Sequence, residues 1–209
     1  MILVYVRHAI AMDREDFAKY CIEKGIDADD EQRPLTAEGQ RKMKKNAEGL
    51  VQAVHSFSDS KAGGVRGRPL IISSPLVRAV STASILAQAF EQPEKPKRKA
   101  KARGAGKREY KPDLITPTLS PGQHPKEFRD YLYDLLHSRP GRTHVNTIVI
   151  AIGHEPQLST SVGWWMIGKE KSRFPFKKGG ATCLEVGNAL APGEARLLWS
   201  LPPWALRSL

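Results

Sequence analysis

Three short apolar runs constrain this chain most: ILVYV at 2–6, PLIIS at 69–73 and NTIVIAI at 146–152. Each is nearly unbroken and too short for a helix, the pattern of strands buried on both faces. Such strands need a layer of helices on each side, and the sequence between them supplies it. Residues 37–54 place Met43, Ala47, Leu50, Val51 and Val54 on one helical face with Lys and Arg opposite, and Thr36 is suited to cap that helix. Residues 76–90 repeat Val80, Ala83, Leu86 and Phe90. Residues 125–137 repeat Phe128, Tyr131, Leu132, Leu135 and Leu136, and 157–167 repeat Leu158, Val162, Trp165 and Met166. Runs at 181–186 and 195–200 read as antiparallel edge strands joined by a turn from Asn188 to Gly193. The expectation is an α/β protein, a three-layer sandwich with a mostly parallel central sheet and helices on both faces, in one domain over 1–209. The four tryptophans (Trp164, Trp165, Trp199, Trp204) are expected to pack in the core.

The net charge of +11 is unevenly spread. The stretch KPKRKAKARGAGKREYK, 95–111, holds nine Lys/Arg and one Glu; without it the charge would be +3. The high charge thus belongs to a segment, and it bears on association rather than on architecture. Residues 93–112 have no apolar anchor before Tyr110 and are expected to form a mobile, basic insertion; residues 58–68 are expected to be a loop. An acidic or phosphate-rich partner for the basic segment, nucleic acid included, is the alternative to a solvated surface. Without interleaved aromatics it offers no base-stacking platform. GAGK at 104–107 is no phosphate-binding loop, because Lys101 and Arg108 stand where glycine and Ser/Thr are required.

The two cysteines, Cys21 and Cys183, have no metal-binding or disulfide-framework spacing. With no signal-peptide pattern and no apolar run of membrane-spanning length, the expectation is a cytoplasmic protein without membrane contact.

The three buried runs end in chemistry. The first passes straight into Arg7-His8. The second reaches Ser73-Ser74-Pro75 and then Arg78; Ser74 suits an N-cap and Pro75 the first helical position, and such a helix start favours anions. The third ends in Gly153-His154, with Pro156 opening the next helix. In open α/β sheets, sites form beyond the carboxyl ends of the strands. Parallel strands would bring Arg7, His8, Arg78 and His154 to one rim. Arg33, just before Pro34, either reaches that rim or pairs with Glu31 or Asp30. Two guanidiniums and two imidazoles suit a phosphoryl group: arginine matches its oxygens bidentately, and imidazole can attack phosphorus and leave again.

VRHAIA, SSPLVRAVSTA and GHEP, in this order at strand ends, resemble the motifs of the histidine phosphatase superfamily, the phosphoglycerate-mutase-like fold. RPLTAEG, LSPGQHP and the closing WSLPPW resemble more narrowly its SixA-type phosphohistidine phosphatases. The resemblance spans nearly the whole chain, with 93–112 as an insertion. It implies a metal-independent phosphatase without cofactor, acting on a phosphohistidine-bearing protein; small phosphate esters or nucleotides are the alternative substrates, and a phosphate-binding module of weak activity a further one. It implies His8 as nucleophile, Arg7, Arg33 and Arg78 as phosphate ligands, and His154 as stabiliser of the transferring group.

Two departures stand out. Ala9 replaces the commoner glycine, so the backbone there must tolerate a Cβ. The stretch TPTLSPGQHP, where many members carry a leaving-group acid, has no carboxylate. A phosphohistidine leaves readily once its ring is protonated, whereas an alkyl ester needs an acid worth about 10²- to 10⁴-fold. Asp113 and Glu127 flank the gap as candidates for a displaced acid. His124 borders the same stretch; His55, His137 and His144 are expected to be surface or structural residues.

Overall fold

The computed structural model describes residues 1–60, 68–91, 109–138, 147–171 and 174–209. Most of the basic segment lies outside the described residues, so the expectations for 93–108 find no counterpart here; Tyr110 is half-buried against the core.

Six strands form one sheet in the order β3-β2-β4-β1-β5-β6. They are β1 (Ile2–Arg7), β2 (Leu70–Ser73), β3 (Leu114–Ile115), β4 (Ile148–Gly153), β5 (Ala181–Glu185) and β6 (Arg196–Leu201). β1 to β4 run parallel; β5 is antiparallel to β1, and β6 to β5. The helices are α1 (Arg14–Lys24), α2 (Ala37–Ser60), α3 (Val77–Glu91), α4 (Pro125–His137), α5 (Gln157–Ile167) and the short α6 (Pro203–Leu206).

Strand alternation divides the core in two. Val4, Val6, Ile71, Ile150 and Ile152 face Met43, Leu50, Ala83 and Leu86 of α2 and α3. Leu3, Tyr5, Ile72, Val149 and Ala151 face Phe128, Leu132, Leu158 and Trp165 of α4 and α5. This is the expected mostly parallel sheet covered by helices on both faces.

Differences from the sequence reading have local causes. α1 went unread because it buries only Phe17 and Cys21, one pair at helical spacing; Asp13 caps its start and Gly25 closes it in the left-handed region. β3 is two residues long, below what periodicity can register. α2 continues to Ser60, past the expected loop start at 58. α3 begins at Val77, so Pro75 precedes the helix rather than opening it. Trp204 is exposed on α6, whereas Trp164 and Trp165 are buried. No helix among the described residues is long and apolar enough to cross a membrane.

α6 rests directly on α2. A Cβ added at Gly49 would overlap the carbonyl oxygen of Leu206, so only glycine admits this approach. Gly49→Ala should cost about 2–3 kcal/mol, the upper range for overpacking against a barely yielding backbone. Gly187→Ala, with nothing within 4 Å of the added carbon, should change stability by less than about 0.5 kcal/mol. Urea unfolding of the two variants measures the difference; equal effects would mean that α6 yields freely.

Candidate active site

Strand register assembles the site. Arg7 lies opposite Gly153, so the next residues along the parallel pair, His8 and His154, emerge side by side. Their ring centroids are 5.0 Å apart. Ser73 on β2 pairs with Ile152 on β4, which brings Ser74 to the same row. The His8 amide donates to the Gly153 carbonyl at 3.1 Å and the Ser74 amide to the Ile152 carbonyl at 3.0 Å, extending the ladder to the rim itself.

Each imidazole is held by a specific contact. His8 Nδ1 lies 2.7 Å from the Ala9 carbonyl oxygen. A carbonyl only accepts, so Nδ1 carries the proton and Nε2 keeps its lone pair. Ala9 itself adopts an ordinary negative φ, so its Cβ is accommodated without strain. Its amide donates to Thr82 Oγ1, which donates in turn to the Arg78 carbonyl. His154 Nε2 pairs with Ser74 Oγ at 2.9 Å. That hydroxyl also accepts from the Leu76 amide. Ser74 thus serves the turn before α3 and the second histidine, rather than the helix cap expected of it.

Burial pushes both rings down to about 3. At His8, the Ala9 contact opposes that effect and the charges of Arg78, Arg7 and Lys178 add to it. At His154, neighbouring His8 and Arg78 add to it and Asp30 opposes. Both imidazoles are therefore neutral at physiological pH, as a nucleophilic nitrogen must be.

The arginines are anchored, each at one end. Arg7 Nη1 donates to the Phe176 carbonyl at 2.6 Å. The amide of Phe176 donates at 2.6 Å to Glu155 Oε1, and Glu155 Oε2 accepts from Ser159 Oγ. Arg78, whose side chain is 4% exposed, donates from Nη1 to the Asp30 carbonyl at 2.6 Å and from Nη2 to Asp30 Oδ2 at 3.0 Å. Burial draws both guanidiniums below their usual range, with Glu155 opposing at Arg7 and Asp30 at Arg78. Arg7 Nε, Arg78 Nε and His154 Nδ1 are buried without a hydrogen-bond partner.

Arg33 takes the ion-pair alternative. Its Nε donates to Asp30 Oδ1 at 2.9 Å and its Nη1 to the Met12 carbonyl at 2.7 Å. It borders Arg78 through their shared partner Asp30. Asp30 also meets Arg14 at 3.3 Å. Burial pushes the Asp30 carboxyl up, but the Arg33 hydrogen bond and the charges of Arg78, Arg33 and Arg14 outweigh it and hold the group below the usual carboxylate range.

The flanking acids lie elsewhere. Asp113 precedes β3 at the amino-terminal side of the strands, bound to Arg68 and to the Ile71 amide. Glu127 is exposed in the first turn of α4. His124 caps α4, accepting from the Lys126 amide, and its Nε2 lies 2.6 Å from Glu170. Sequence reasoning missed Glu155, Lys178 and the Phe176 carbonyl. It saw Asp30 only as a neighbour of Arg33, since nothing in its spacing marks a partnership with Arg78. Among the described residues, no group of three His, Cys, Asp or Glu is placed to hold a metal ion.

No protein-family model and no curated protein matches the chain. Solved structures do. The protein histidine phosphatase SixA, complexed with tungstate, is 18% identical with a TM-score of 0.65, covering 99% of each chain. Phosphoserine phosphatase from Entamoeba histolytica, as an H9A mutant with phosphoserine, is 13% identical with a TM-score of 0.55 over 98% of each chain. Mycobacterial glucosyl-3-phosphoglycerate phosphatase complexed with VO3 is 13% identical with a TM-score of 0.57, covering 96% of this chain and 99% of that one. The chain therefore has the phosphoglycerate-mutase-like fold of the histidine phosphatases.

The neutral histidines have a thermodynamic consequence. An unfolded histidine titrates near 6.5, whereas these two titrate near 3 when folded. Between those values the unfolded state binds protons that the folded state does not, so stability falls with falling pH, by about 1.4 kcal/mol per unit per ring. From pH 7 to pH 5, His154→Gln should therefore lose about 2 kcal/mol less than the unaltered chain. Urea unfolding at the two pH values measures this, and identical losses would show that the ring is not the source.

Proposed function

We propose that the protein is a phosphohydrolase that transfers a phosphoryl group to His8 and then to water. The observation that carries this reading is the set of three buried, unpartnered nitrogens (Arg7 Nε, Arg78 Nε and His154 Nδ1) around a neutral imidazole whose Nε2 is free to attack. With the Ser74 hydroxyl donating to Nε2, His154 Nδ1 is an N–H like the two arginine nitrogens; an unpaired buried N–H is costly, and an oxyanion is the ligand that removes that cost at several such groups together.

His8 Nε2 attacks phosphorus and the bond to the leaving atom breaks; the leaving group departs with the electron pair and takes a proton from solvent water. Arg7, Arg78 and His154 bind the phosphoryl oxygens through the transfer. Water then attacks the phosphohistidine, releasing phosphate and freeing Nε2. None of these steps calls on a metal ion.

Small phosphate monoesters are the favoured substrates. The fold is shared with phosphatases of small phosphate esters, phosphoserine phosphatase and glucosyl-3-phosphoglycerate phosphatase among them. Asp30, 3.0 Å from Arg78, is held ionised by three arginines and is not a leaving-group acid. Phosphohistidine on a protein is the second reading, supported by the end-to-end likeness to SixA and by the absence of any carboxylate in 116–125.

His8→Ala should lower turnover of p-nitrophenyl phosphate by at least about 10³-fold. His154→Ala should lower it by about 10²-fold and still bind phosphate. With EDTA present, an alkali-stable, acid-labile phosphoryl adduct should form on His8 during turnover. Full activity of His8→Ala would sink the mechanism. Turnover of a phosphohistidine protein far above that of the ester would reverse the order of the two substrate readings.

A further inference from the structure

Resting on the phosphoryl-site reading above, we propose that Asp30 and Glu155 are positioning residues that hold Arg78 and Arg7 by their tips, so that each presents its Nε–H side edge to the phosphoryl group. A guanidinium has two edges that can grip an oxyanion bidentately: the tip, made of both Nη atoms, and the side, made of Nε and one Nη. In Arg78 the tip is taken by a single residue, through both the carbonyl and the carboxylate of Asp30. In Arg7 one tip nitrogen is taken by the Phe176 carbonyl, and the Phe176 amide is tied to Glu155. In both, Nε is buried and unpartnered. Two arginines from different elements thus share one arrangement, in which the tip is bound to protein, by both nitrogens in Arg78 and by one in Arg7, and Nε is free.

Asp30 comes from outside the strand-end motifs, and Glu155 is the residue of GHEP that follows His154. Asp30 lies in a single 3-10 turn, Asp30–Gln32, whose start is fixed by Asp29 accepting from the Glu31 amide. Its side chain is 41% exposed but bound to three arginines, Arg14, Arg33 and Arg78. Glu155 follows His154 and spans from α5, through Ser159, to the segment before β5, through Phe176. A carboxylate beside an anion site would by charge alone weaken anion binding. Here the net effect is the opposite, because a loose arginine side chain must be ordered at each binding event.

The sign of the effect is the test. Inorganic phosphate is titrated by calorimetry into the full-length chain and into Asp30→Ala, Asp30→Asn, Glu155→Ala and Glu155→Gln. The alanine variants should bind phosphate at least about 10-fold more weakly and raise KM for p-nitrophenyl phosphate in parallel. The amide variants keep an acceptor oxygen and should stay within about threefold. In ¹⁵N spectra, phosphate should shift the Nε–H signals of Arg7 and Arg78; the Arg78 shift should vanish in Asp30→Ala while that of Arg7 remains. Tighter phosphate binding in both Asp30 variants would make Asp30 a competitor and overturn the proposal. Phosphate bound without movement of the Nε–H signals would overturn it while leaving the phosphoryl site intact. No phosphate binding to the unaltered chain would overturn the site reading and this proposal together.

Discussion

The parallel pairing of β1 with β4, with Arg7 opposite Gly153, is the contact on which the rest of the site depends. It sets two residues distant in sequence, His8 and His154, one step beyond the ladder and side by side. A slip of one residue would turn every side chain of β1 to the other face, sending Val4 and Val6 into the layer under α4 and α5 and Tyr5 into the layer under α2 and α3. The two-sided apolar packing of Val4 and Val6 against α2 and α3, and of Leu3 and Tyr5 against α4 and α5, excludes that slip. The core thus fixes the register, and the register fixes the distance between the imidazoles.

The same packing sets the chemistry of the rings. At the end of a buried strand, a histidine loses its solvation on several sides, and the charged form is disfavoured. Three cationic side chains near His8 add to that effect. The imidazole stays neutral, while the surrounding guanidiniums remain charged because arginine holds its proton far more tightly. A neutral imidazole among cationic side chains is what the proposed attack on a phosphoryl dianion requires.

Glycine matters to this arrangement at one further point. Gly179 stands at φ +79°, and its amide donates to the Arg7 carbonyl while its own carbonyl accepts from Asn46 Nδ2. A Cβ there would press on that Asn46 nitrogen. The turn that joins Phe176 to β5 and to Arg7 is therefore closed on both sides, which fits the anchored tip of Arg7.

The sequence by itself determined the sheet and its helical cover, because burial on two faces or one imposes its own periodicity on ILVYV, NTIVIAI and the helix over 125–137. It also placed Arg7, His8, Ser74, Arg78 and His154 at strand ends, since strand polarity follows from alternation with helices. It could not reveal α1 or β3, whose buried positions are too few to make a period. It could not choose between the two readings of Arg33, nor join Asp30 to Arg78 or Glu155 to Phe176. Those are contacts between separately folded elements, and no local spacing encodes them. Which nitrogen of each arginine is free, and whether each histidine is neutral, depend on what packs around them; only the tertiary structure decided those.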